Sequence, residues 1–142
     1  MKKKHGILWW RGKAWDAFSI FIRLRDSIGQ PIVGPRIGRC CTCGKLYPAF
    51  GKGCMQAGHY VPGRSNAVLF EEHNTHAQCY NCNVNLKGNP IKYRKFIERN
   101  YGIPERDRLE ALQDKRLMFD VEDYAEIKAR YEKMDAAMGI TI

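Results

Sequence analysis

Two Cys-x-x-Cys pairs constrain this chain more than any other feature: Cys40-x-x-Cys43, followed by Gly44, and then, past a spacer of 35 residues, Cys79-x-x-Cys82. Two residues between cysteines allow both sulfurs of one turn to reach a single ion at about 2.3 Å, and two such turns complete a tetrahedron. Zinc is the expected ion, one per chain, because a closed thiolate site suits it without redox chemistry. Cys41 competes through Cys41-x-Cys43, but a one-residue gap is the less usual geometry, so Cys40 is the expected ligand. Cys54 lies outside both pairs. The plainer alternative is four thiols at coincidental spacing. A closed four-sulfur site has no open position for water, so it is structural, and any chemistry must come from its neighbours.

The rest of the chain fits one domain built around that staple. At 142 residues it is long enough to bury a core and short for two full domains. Residues 1–35 read as a basic segment and a helix, 36–89 as the metal-stapled core, and 90–142 as C-terminal helices. Trp15, Phe18, Phe21, Ile22 and Leu24 give "AWDAFSIFIRLRDS" the period of an amphipathic helix over residues 12–27. "GQPIVGPRIG" reads as a loop. "PIKYRKFIERNYG" reads as a helix with Pro90 at its first position and Gly102 past its end. "ERDRLEALQDK" is a weaker helix. Residues 120–138 form a strong one, capped by Asp120 and followed by Gly139.

The net charge is +9 and it is unevenly spread. Residues 1–102 carry 17 Lys and Arg against 5 Asp and Glu, whereas 103–142 carry 7 against 10. A basic body suits a polyanion, nucleic acid above all. Lys87, Lys92, Arg94, Lys95 and Arg99 follow directly after the second cysteine pair and are the expected phosphate contacts, with an ordinary solvated helix face as the bland alternative. The apolar run "GILWW" stops at Arg11, too short for a signal-peptide core or a membrane span. A membrane is therefore not an expected partner, and a soluble, cytoplasmic location is expected.

Between the cysteine pairs lie His59 in "AGHY", then Asn74 and His76 in "HNTHAQC", and directly after Cys82 comes Asn83, with Lys87 beyond it. This pattern resembles the HNH nucleases, also called His-Me finger or ββα-metal enzymes. More closely, "AWDAFSIFIRLRDS", "CCTCG", "AGHY", "LFEEHNTHAQCYNCN" and "GNPIKYR" together resemble the NinG/Rap recombination endonuclease family of lambda-like phages. The resemblance covers most of residues 14–94, and its parts occur in order.

The resemblance implies an α+β fold, with a zinc-stapled ββα-metal (HNH-like) core and flanking amphipathic α-helices. It implies a phage- or prophage-encoded endonuclease acting on branched recombination intermediates such as Holliday junctions and D-loops. In that scheme His59 is the general base, whose ordinary pKa lies near neutrality. Asn74 orients its ring, and Asn83, at the start of a helix, ligates a catalytic Mg²⁺ or Mn²⁺. Many relatives carry Asp or His just before the base, where this chain has Gly58. The lambda relative has an acidic residue three positions before the base, where this chain has Gln56. Gln56 is thus the second expected ligand, a weak one, with His73 or His76 able to compensate. His76 stands between a catalytic and a structural role, and His73 reads as a surface residue. Paired cuts in a four-way junction need two centres, so a C2 homodimer on branched DNA is expected. The helices at 12–27 and 120–138 are the candidates for burying one another. An inactive zinc-containing DNA-binding accessory protein is the alternative, and an adaptor acting through the acidic C-terminal helix is a third.

Overall fold

The computed structural model describes residues 4–28, 36–63 and 65–139. Most of the expected loop at "GQPIVGPRIG" lies outside these residues. The first helix, α1, spans Ile7–Arg25, with Gly6 at its N-cap. It therefore begins before the expected residue 12. "ILWW" is helical, yet Leu8 is 75% exposed, so its residues carry no core-facing period for sequence reasoning to detect. His5 stacks on Trp9 at 3.9 Å, and the Lys13 ammonium lies over the same ring at 5.6 Å.

The last helix, α5 (Val121–Ala137), starts in a capping box: the Asp120 side chain accepts from the Asp123 N–H and the Asp123 side chain accepts from the Asp120 N–H. It packs along α1. Phe18, Phe21 and Ile22 of α1 meet Tyr124, Ile127 and Tyr131 of α5 in one core, with Phe18 and Tyr131 edge-on at 4.9 Å. The two end helices do bury one another, and they do so within a single chain.

Two small antiparallel sheets lie between them. Strands β1 (Ser27–Ile28), β2 (Ile37–Arg39) and β3 (Leu46–Pro48) form the first, and the β2–β3 connection carries Cys40 and Cys43. Strands β4 (Gln56–His59) and β5 (Thr75–Gln78) form the second, in the register Gln56↔Gln78, Gly58↔His76 and His59↔Thr75. Between them lies α2 (Asn66–Leu69), capped by the Ser65 hydroxyl.

After β5 the chain makes a single π-helical turn, Asn81–Asn85, and then a left-handed run at Lys87, Gly88 and Asn89 with φ of 53°, 92° and 49°. Helix α3 (Pro90–Tyr101) follows with Pro90 in its first turn, and Gly102 separates it from α4 (Ile103–Ala111), as the sequence led us to expect. Asn83 thus sits in the π-turn and not at the start of α3. Val61, Val68, Tyr93, Ile97 and Leu109 form a second core under α3 and α4. The fold is mixed α/β, with small antiparallel sheets and a cysteine cluster. Among the described residues no helix is long and apolar enough to cross a membrane.

Candidate functional site

The sulfurs of Cys40, Cys43, Cys79 and Cys82 lie within 4.8 Å of one another, so these four residues can hold a metal ion such as zinc. Gly44 makes the first turn possible: at φ 78° its N–H reaches back to the Cys40 carbonyl at 2.9 Å. Burial alone would raise the Cys40 thiol, but backbone N–H groups of Cys43, Cys79 and Thr42 and the Thr42 hydroxyl pull it down to about 6. Cys43 is pushed up to about 12, by burial first and then by the neighbouring sulfurs. Like charges crowd here, and a divalent cation relieves that crowding. Cys41 packs instead with the core that contains Tyr93, and burial raises its thiol. The choice of Cys40 over Cys41 is the one the geometry makes.

His59 ends β4. Its Nε2 lies 3.1 Å from the Leu69 carbonyl. A carbonyl only accepts, so Nε2 carries the proton, and in the neutral ring Nδ1 is the basic nitrogen. The ring also lies face to face with Trp15 of α1, centroids 5.2 Å apart. Trp15 in turn lines a cleft that contains Arg23, Cys54, Gln56 and Asn83. Sequence reasoning placed Trp15 in the core and did not find Leu69 or Arg23. A backbone carbonyl leaves no residue-type trace, and Arg23 is set off from the apolar stripe of its helix.

Asn74 is fully buried and acts on His59 at one remove. Its side chain accepts from the Val61 N–H at 2.8 Å and donates to the carbonyls of Val61 (3.1 Å) and Val68 (3.4 Å). It fixes the backbone that presents the Leu69 carbonyl and makes no direct bond to the ring. Gln56 and Asn83 are brought together as the sequence pairing implied: Asn83 Nδ2 donates to Gln56 Oε1 at 2.7 Å. As ligands for a hard divalent cation both offer neutral amide oxygens, a chemically apt but weak set.

His76 is placed elsewhere and is no candidate for catalysis. It pairs with Gly58 across the sheet, is 3% exposed, and faces α3. Its Nδ1 is 3.2 Å from the Tyr93 hydroxyl and its Nε2 is 2.7 Å from that of Tyr101. Tyr93 donates to the Gly58 carbonyl at 2.6 Å, so its oxygen accepts from Nδ1–H, and Tyr101 donates to Nε2. Burial, reinforced by Arg25, pushes this histidine down to about 3. The ring is a neutral strut between α3 and β5. His73 does not reach the cleft either: it pairs with Glu105 at 2.5 Å and stacks on Tyr101 at 4.1 Å.

Lys87, Lys92, Lys95 and Arg99 are exposed, the last three at helical spacing along one stripe of α3. Arg94 differs from the expectation. It lies 3.5 Å from both Glu98 and Glu110, which offset its charge.

The family described as "Bacteriophage Lambda NinG protein" matches residues 2–138. Protein ninG of Salmonella phage P22 is 32% identical over 126 residues, covering 88% of this chain and 55% of the relative. Protein ninG of Escherichia phage 933W is 32% identical over 88% of this chain and 56% of its own, and that of Escherichia phage lambda is 31% identical over 88% and 55%. This chain thus spans about half the length of these relatives. No solved structure matches it. A match running almost from end to end, and taking in both cysteine turns, β4, β5 and α3, establishes that this chain belongs to the NinG family of bacteriophage proteins.

Proposed function

We propose that this chain is a metal-dependent endonuclease that cuts branched DNA, such as Holliday junctions and D-loops, during phage recombination in the host cytoplasm. The observation that carries the proposal is the setting of His59. Its Nε2–H is anchored on the Leu69 carbonyl, which makes Nδ1 the basic nitrogen of the neutral ring, and Trp15 links its ring to the cleft of Gln56 and Asn83. The strand pair β4–β5 and the π-turn that follows correspond in this reading to the ββα-metal core.

Phosphodiester hydrolysis then divides among these residues. His59 Nδ1 takes a proton from water as the water oxygen bonds to phosphorus, the P–O bond to the leaving oxygen breaks, and solvent returns a proton to that oxygen. Gln56 and Asn83 would hold the Mg²⁺ or Mn²⁺, which when bound stabilises charge on the phosphate and the leaving oxygen. Lys87, Lys92, Lys95 and Arg99 grip neighbouring phosphates, and zinc on the four cysteines keeps the π-turn and Asn83 in place. Symmetric resolution of a four-way junction requires two such centres, hence a homodimer on the DNA. Because α1 and α5 already cover one another, its interface must use other surfaces.

A second reading is a zinc-containing DNA-binding accessory protein without catalysis. One observation favours it: among the described residues the cleft is lined by no carboxylate. Incubating four-way junction, D-loop and linear duplex DNA with the zinc-loaded chain in Mg²⁺, Mn²⁺ or EDTA separates the two. Metal-dependent nicks at the branch support the enzyme, and binding without any cleavage supports the accessory protein. Sedimentation with junction DNA reads the stoichiometry, and paired cuts made by a single bound chain would refute the dimer.

A further inference from the structure

One face of β4 carries a gap where residue 58 has no side chain. A methyl group built on Gly58 would lie 2.1 Å from Gln78 Oε1 and 3.0 Å from Asn83 Oδ1, so these two oxygens converge on the volume that glycine leaves. Gln78 is fully buried. Its Nε2 donates to the Gly88 carbonyl at 2.9 Å and to the Thr42 hydroxyl at 3.1 Å. Because the Gly88 carbonyl can only accept, the amide cannot be turned round, and its orientation is fixed. Gln78 Oε1 is then a buried acceptor with no hydrogen-bond partner among the described residues. Leaving such a group unsatisfied is costly, a loss that persists where the group has another use.

The neighbours of the gap share its chemistry. Asn83 gives its N–H to Gln56 Oε1, two residues before Gly58 on the same strand face, and this turns Asn83 Oδ1 towards the gap. Gln78 lies opposite Gln56 in the β4–β5 register. Two elements, β5 and the π-turn, therefore each bring an amide oxygen to one place beside β4. Amide oxygens are hard, neutral donors that suit a divalent cation of the Mg²⁺ or Mn²⁺ class, which would keep most of its shell as water or phosphate oxygen.

We propose that Gln78 Oε1, together with Asn83 Oδ1, is a ligand of a divalent-cation cradle at Gly58, and that residue 58 is glycine because any side chain there would fill the cradle. This deepens the nuclease reading and rests on it for the use made of the cation, but the cradle itself needs no cleavage in order to be observed.

The test is Mn²⁺ binding to the zinc-loaded full chain, read as loss of the free aqueous Mn²⁺ resonance signal. The expected result is that Gln78→Ala and Gly58→Ala each weaken Mn²⁺ binding by about tenfold or more, at unchanged zinc content and helicity. Gln78→Ala also removes two structural hydrogen bonds. Gly58→Ala is therefore the cleaner probe, since it displaces the oxygen without deleting a polar group and residue 58 does not have the positive φ that would strain alanine. No Mn²⁺ binding by the native chain, or unchanged affinity in a folded Gly58→Ala chain, overturns the proposal. Tenfold weaker Mn²⁺ binding in the variants of a chain that never cuts DNA leaves the cradle standing and sinks the nuclease. Cutting by a chain whose variants keep their Mn²⁺ affinity does the reverse.

Discussion

Single residues define what this site can do, and they differ in how openly the sequence shows them. His59, Gln56 and Asn83 are legible only through the family motif in which each is placed, and the fold brings Gln56 and Asn83 into contact. His76 is misleading for the same reason: its place in "HNTHAQC" says nothing of Tyr93 and Tyr101, which arrive from another helix and enclose it. Two predictions belong here. His59→Ala should lower cleavage of junction DNA by at least about 100-fold, because it removes the proposed base, while zinc content and DNA affinity stay at native values in metal analysis and gel shift. His76 has a folded pKa of about 3, below its ordinary 6.5. A depressed value means the neutral form is favoured by folding, so its contribution is complete above pH 6.5 and is lost as pH falls towards 3. In that window it should steepen the loss of stability with acid by up to about 1.4 kcal/mol per pH unit. Denaturant melts of the native chain and His76→Gln from pH 7 to 4 should therefore give the shallower dependence for the variant.

Secondary-structure elements follow from punctuation where punctuation exists. Pro90 and Gly102 bound α3, and Asp120 and Gly139 bracket α5, so both helices are legible to within a residue or two. The π-turn at Asn81–Asn85 leaves no such mark, since it arises from the way Cys79 and Cys82 turn towards the other cysteine pair. Zinc on the four cysteines would brace that turn. Chelating zinc, or replacing Cys43 by Ser, should release the segment from Cys79 to Asn89 and expose its amides, read as faster hydrogen exchange there, while the α1–α5 packing exchanges slowly as before. The seam between α1 and α5 holds its own pH-sensitive element. Asp135 is fully buried, neither carboxylate oxygen has a hydrogen-bond partner among the described residues, and burial, reinforced by Glu132 and opposed by Arg23, raises it to about 6. A raised carboxyl favours the fold while protonated, and that advantage is lost as pH climbs from about 4 to about 6. The melting temperature of Asp135→Asn relative to the native chain should consequently rise across that interval.

At the scale of the whole molecule, the charge asymmetry is plain in the sequence, but its placement is not. Arg94 is tied down by Glu98 and Glu110, so the usable cations of α3 reduce to the stripe of Lys92, Lys95 and Arg99. Reversing Lys92 and Lys95 to Glu should weaken binding to junction and duplex alike and lower the salt slope of log affinity by about 2, measured from 50 to 200 mM salt. Equal loss on all DNAs is expected because phosphate contacts carry no sequence. The meeting of the first and last helices was likewise beyond local reading, since periodicity shows an apolar face and not its partner. That meeting sets an order of assembly. During synthesis both cysteine turns leave the ribosome well before α5, so the metal loop can close early, whereas Phe18 and Phe21 must wait for Tyr131 roughly a few seconds longer. Through that interval α1 presents a bare aromatic face, and a chain interrupted before Asp120 would carry it permanently, its cysteine turns complete and its aromatic face prone to aggregate.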